Sequence, residues 1–100
     1  MSKALAAFVE KYGIKDIEVW KRYSQKVRGL TEVVYKLNIQ TINPLGHKRT
    51  RGSTGWHLDH RKPIIQSFLD GDRPEFAARL ENLQMMEAFA NLSKGRNMSQ

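Results

Sequence analysis

The sequence predicts an α+β fold in which N-terminal helices precede a strand, a long loop, a second strand and a closing helix. Three observations carry this. Apolar residues recur at three- and four-residue steps through the first 38 positions. Polar and apolar residues alternate at Trp56–Asp59 and again at Asn82–Met85. Good helix formers then fill Glu87 to Lys94.

Ser2 to Tyr12 reads as a first helix, with Ala4, Leu5, Phe8 and Val9 as its apolar stripe and Gly13 closing it. Asp16 suits the cap of a second helix, whose stripe is Ile17, Trp20, Tyr23, Val27, Leu30 and Val34. Aromatic residues at helical spacing are usually core, so Trp20 and Tyr23 are assigned to packing. The opposite face carries Lys21, Arg22, Lys26 and Arg28, which suits either solvent or a phosphate backbone. Gly29 leaves two readings open: one long helix, or a break with Thr31 capping a shorter helix.

Ile39–Ile42 is expected as a brief extended piece before an Asn43-Pro44-Leu45-Gly46 turn. His47 to Gly55 is basic, glycine-rich and without apolar anchors, hence a loop. Lys48, Arg49 and Arg51 in it are placed to grip a DNA backbone, against the plainer account of a solubilising coil. His47 alone in that loop is more often without a role than a ligand.

In the strand starting at Trp56, Trp56 and Leu58 face one side and His57 and Asp59 the other. A carboxylate beside an imidazole suits a divalent cation. His60 is expected to mark the exit from strand geometry, ahead of Pro63. Ile64–Leu69 is apolar and expected to tuck beneath the loop. Asp72-Arg73-Pro74-Glu75 reads as a capping box, followed by a short helix burying Phe76, Ala77 and Leu80 and ending near Glu81. Leu83 and Met85 belong to a second strand, and Gly95 is the expected C-cap of the last helix. Asn91 and Lys94, three apart, share a face of that helix. Arg96 to Gln100 reads as a frayed polar end.

One hundred residues make one domain of modest core. The formal charge of +7 and a pI near 10 call for a polyanionic partner. No stretch approaches a membrane span of roughly 18 apolar residues, and no basic-then-apolar leader pattern opens the chain; a soluble intracellular protein is expected. Absence of cysteine excludes disulfides, four-cysteine zinc ribbons and Cys-His chemistry. No Gly-rich phosphate loop, nucleophilic Ser-His-Asp pattern or repeat is present.

Asp59-His60 followed by Pro63, then Asn82-Leu83-Gln84, then Asn91 nine residues later in Asn-Leu-Ser-Lys-Gly, resembles the HNH nucleases with their ββα-metal fold. Thr31-Glu32, Asn43-Pro44, His57 to His60 and Asn82 to Met85, in this order, resemble small stand-alone phage HNH endonucleases. The likeness runs from about Trp20 to Lys94. It implies a helical extension over about 1–38 and a ββα-metal core over about 54–96, with a long inter-strand loop containing a short helix.

It further implies a metal-dependent endonuclease that hydrolyses DNA and leaves 5′-phosphate and 3′-hydroxyl ends. Asp59 and Asn91 match the metal ligands, His60 the general base, Asn82 the residue that fixes the loop and the orientation of His60, and Lys94 a phosphate contact. His57 is a partner of a ligand, a phosphate contact or an added ligand. Arg61 and Lys62 stand where many members are apolar and are taken as DNA contacts. Oxygen ligands from Asp and Asn favour one hard ion, Mg2+, with Mn2+ or another divalent ion as alternatives. The phage likeness implies action inside a bacterial host. One site cuts one strand at a time, so duplex cleavage requires a homodimer or two visits. The alternative function is a binding module that grips nucleic acid without cutting.

Overall fold

The computed structural model describes residues 2–98, with the backbone alone for 95–98. Helix α1 is Lys3–Tyr12. Ser2 caps it by accepting the Leu5 N–H at 3.1 Å, and Gly13, at φ 64°, ends it in the left-handed conformation that glycine adopts without a Cβ penalty. Helix α2, Ile17–Leu37, starts at Asp16, whose carboxylate accepts the N–H groups of Glu18 at 3.0 Å and Val19 at 3.3 Å. It is one continuous helix. Gly29 is exposed and costs about 1 kcal/mol in helix propensity, which the buried stripe of Val27, Thr31 and Tyr35 outweighs. Thr31 is therefore mid-helix rather than a cap.

Ile39–Ile42 is helical (α3), not extended. The Asn38 carbonyl accepts the N–H groups of both Thr41 and Ile42 at 3.0 Å, and Ile42 is thereby turned into the core. The expected turn follows, with the Gly46 N–H on Asn43 O at 3.1 Å.

Strand β1, Trp56–His60, pairs antiparallel with β2, Leu83–Glu87, in a register that sets Trp56 opposite Glu87 and His60 opposite Leu83. His60 thus stays in the strand. The chain leaves one residue later, where the Arg61 N–H donates to Asn82 O at 2.7 Å. Between the strands lie α4 (Ile64–Leu69), α5 (Pro74–Ala77) and a 3-10 turn at Leu80–Asn82. The capping box does not form: Arg73 occupies the cap of α5 without a side-chain bond, because the Asp72 carboxylate is taken by Lys62 Nζ at 2.7 Å. Phe76 is half exposed, under the Arg79 guanidinium at 3.8 Å, instead of buried. Helix α6 is Ala88–Met98, so Gly95 lies within it and does not close it; 99 and 100 lie outside the described residues.

Two small apolar clusters hold these elements. Val27 meets Ala77 and Ala78, flanked by Tyr23, Leu30 and Ile64, which fastens α2 to the inter-strand segment. Tyr35, Ile42 and Leu83, with Leu58 and Met85, fasten α2 and α3 to the hairpin. Trp20 packs against Phe8 and Phe68, as its helical spacing predicts. No described helix is long and apolar enough to cross a membrane.

Candidate active site

Helix α6 begins directly after β2, at the fully buried Ala88, and so lies against the hairpin. Asn91 and Lys94 on one face of it reach back to β1. Lys94 Nζ donates to Asp59 Oδ2 at 2.7 Å and to the His60 carbonyl at 2.9 Å. Gln84, directly across the ladder from Asp59, donates to the same Oδ2 at 2.8 Å. Asp59 is 8% exposed, a position that a carboxylate tolerates only with such partners.

His60 projects toward α2, where its Nε2 lies 2.9 Å from Thr31 Oγ1. Burial pulls its pKa from 6.5 down to about 4; the neighbouring Asp59 opposes this, and the Arg28 and Lys94 cations add to it. His60 is therefore neutral and able to accept a proton at neutral pH.

Asn82 is 1% exposed and spends its whole amide on the backbone. Its Oδ1 accepts the Lys62 N–H at 2.7 Å, and its Nδ2 donates to Lys62 O at 3.1 Å and Ala77 O at 2.8 Å. With the Arg61 N–H on its own carbonyl, it clamps the chain just past His60.

His57 forms a third arrangement. The Gly52 carbonyl can only accept, so His57 Nε2, 2.9 Å away, is the donor. Its Nδ1 then accepts from Asn91 Nδ2 at 2.8 Å, which turns the Asn91 amide oxygen away from the imidazole. His57 is thus the partner of Asn91.

Asp59, His60, Asn91 and Lys94 line one cavity of about 370 Å³, together with Arg28 of α2 and the aromatic side chains Phe8, Tyr12 and Trp20. The donors there fit a hard divalent ion in kind: the Asp59 carboxylate, whose Oδ1 accepts no hydrogen bond among the described residues, and the Asn91 amide oxygen. Among the described residues no three His, Cys, Asp or Glu side chains converge. Two protein oxygens with water and phosphate in the remaining positions match the way Mg2+ is commonly held. A larger groove of about 610 Å³, bordered by Asn43, His47, Trp56 and Arg61, contains none of these four groups. His47 stacks on Trp56 there, with ring centroids 3.7 Å apart, outside the cavity that holds Asp59 and Asn91.

The expected DNA contacts divide. Arg49 is bound by Glu32 through two hydrogen bonds of 2.8 and 2.7 Å and lies over the Tyr35 ring, which lowers the Glu32 pKa. Lys62 bridges Asp70 at 2.8 Å and Asp72 at 2.7 Å. Both cations are thus paired with carboxylates of this chain. Lys48, Arg51 and Arg61 are exposed. Sequence reasoning missed Arg28 and Thr31 as site residues; they lie three apart on α2, and the available signs were the basic face to which Arg28 belongs and the place of Thr31-Glu32 in the family-like order. Gln84 was missed as well, although its position opposite Asp59 follows from the strand register. Compared with protein-family models, curated proteins and solved structures, the chain matches none.

Proposed function

We propose that this protein is a divalent-metal-dependent endonuclease of the HNH type acting on DNA. The observation that supports it most is the convergence, in one cavity, of a neutral, partly buried imidazole, an adjacent carboxylate and the α6 side chains Asn91 and Lys94. Asp59 and Asn91 would hold the ion, which when bound supplies Lewis-acid stabilisation of charge on the scissile phosphate. His60 takes a proton from a water molecule as that water's oxygen attacks phosphorus. The P–O3′ bond breaks, the 3′-oxygen takes a proton from solvent, and a 5′-phosphate and a 3′-hydroxyl result. Lys94 and Arg28 offset the charge that develops on phosphate oxygens. Asn82 keeps the exit of β1 fixed, so that His60 does not swing with the loop.

One observation favours a second reading, a nucleic-acid-binding module without hydrolysis: Lys94 Nζ already neutralises Asp59 at 2.7 Å. Digestion of supercoiled plasmid with Mg2+ or with EDTA separates the two. Metal-dependent nicking is expected, and His60→Ala is expected to abolish it while DNA affinity and folding persist. Near-normal turnover in His60→Ala would remove the base from the mechanism. DNA binding without any cleavage would leave the binding module.

A further inference from the structure

We infer that Thr31 of α2 is a positioning residue that fixes which nitrogen of His60 carries the proton. The inference rests on the nuclease reading for its catalytic meaning, but the geometry stands apart from it. Thr31 is 3% exposed and lies between Val27 and Tyr35 in the buried stripe of α2. Its Oγ1 lies 2.7 Å from the Val27 carbonyl and 2.9 Å from His60 Nε2.

A hydroxyl has one proton to give. The Val27 carbonyl can only accept, and two oxygens at 2.7 Å require a proton between them, so the Thr31 proton goes there. Oγ1 is then left as an acceptor toward His60, and Nε2 must be the protonated nitrogen. In the neutral ring this leaves the lone pair on Nδ1. The base is thereby assigned to one atom, and the ring is held by a helix outside the hairpin. The arrangement parallels the link from Gly52 through His57 to Asn91, in which a backbone carbonyl also sets the hydrogen-bonding direction.

Thr31→Val keeps the shape and removes the acceptor. The Nε2–H would then face a methyl group in a buried site, and the ring would gain by moving its proton to Nδ1 or by rotating. Loss of a hydrogen-bond partner behind a metal ligand typically costs about 10- to 100-fold, and a loss of the same order is expected for the partner of the base.

The test has two arms, both on the full chain. Long-range 1H–15N NMR of the imidazoles identifies the His60 tautomer; Nε2–H is expected in the wild type and a loss of that state in Thr31→Val. Plasmid cleavage with Mg2+ should show kcat reduced by about 10- to 100-fold in Thr31→Val with KM for DNA little changed, and Thr31→Ser, which restores the hydroxyl, should recover most of it. A wild-type His60 protonated on Nδ1 overturns the assignment, whatever the variants do. So does a folded Thr31→Val with wild-type kcat, or a folded Thr31→Ser as impaired as Thr31→Val. If the wild type cut no DNA, the nuclease reading would fall, while an Nε2–H tautomer lost in Thr31→Val would still support the positioning role.

Discussion

His60 connects the chemistry of the site to the stability of the fold. Its pKa is near 4 in the folded chain and 6.5 when unperturbed. Between these values the unfolded chain binds a proton that the folded chain does not, so stability is full above about 6.5 and is lost as the pH falls toward 4. For metal-free protein in EDTA the loss between pH 7 and pH 5 is about 2 kcal/mol. That window lies above the range in which Glu32, held low by Arg49, and Asp70, held low by Lys62, take up protons. Urea unfolding at the two pH values should show the drop, and His60→Ala should lack it. An equal drop in the variant would mean that another group is responsible. Asn82, by contrast, contributes through geometry alone, since its three hydrogen bonds all end on backbone groups of the chain that follows β1.

At the scale of elements, the segment from His47 to Gly55 is less free than its composition suggests. The His47 N–H is held by Asn43 at 2.9 Å, the Thr50 N–H donates to Trp56 O at 2.8 Å, and Arg49 is tied to Glu32 of α2. Lys48, Arg49 and Arg51 are all exposed, and Lys48 and Arg51 are the two that the proposed function leaves for contact with a DNA backbone. Each phosphate contact contributes roughly 0.9 to the slope of log affinity against log salt on duplex DNA. Replacing Lys48 and Arg51 with alanine should therefore flatten the slope by about 1.8, and weaken binding to all sequences alike, since phosphates carry no base identity. Arg49→Ala should change the slope less and instead lower stability, by up to about 1 kcal/mol for a partly exposed pair. A loss confined to one DNA sequence would show that the segment reads bases.

For the whole molecule, a charge of +7 on 100 residues favours polyanionic partners by long-range attraction, and one cavity gathers Asp59, His60, Asn91 and Lys94. Under the proposed nuclease function, one such site addresses one strand per encounter. On supercoiled plasmid, nicked circles should accumulate before linear DNA, with linear product appearing late at low protein concentration. Linear DNA formed from the outset, without a nicked intermediate, would require two sites acting together, as a symmetric dimer supplies.

Local patterns were enough to place the first helix with its close at Gly13, the start of the second at Asp16, the positions of both strands though not their ends, and the shared face of Asn91 and Lys94, because capping, alternation and helical spacing are properties of neighbours in the chain. The same spacing placed Trp20 and Tyr23 in the packing. It did not decide whether α2 breaks at Gly29, that Ile39–Ile42 is helical, that Asp72 prefers Lys62 to capping α5, or that α6 runs past Gly95. The first three are competitions between a local preference and a tertiary contact, and the contact wins when it buries apolar surface or pairs a charge. The site divides in the same way. Asp59, His60, Asn82 and Asn91 stood out by their order along the chain, but Thr31, Arg28 and Gln84 join them only through the packing of α2 and the pairing of β1 with β2. Thr31 lies 29 residues before His60 in the chain, and only the packed fold puts its hydroxyl 2.9 Å from the imidazole.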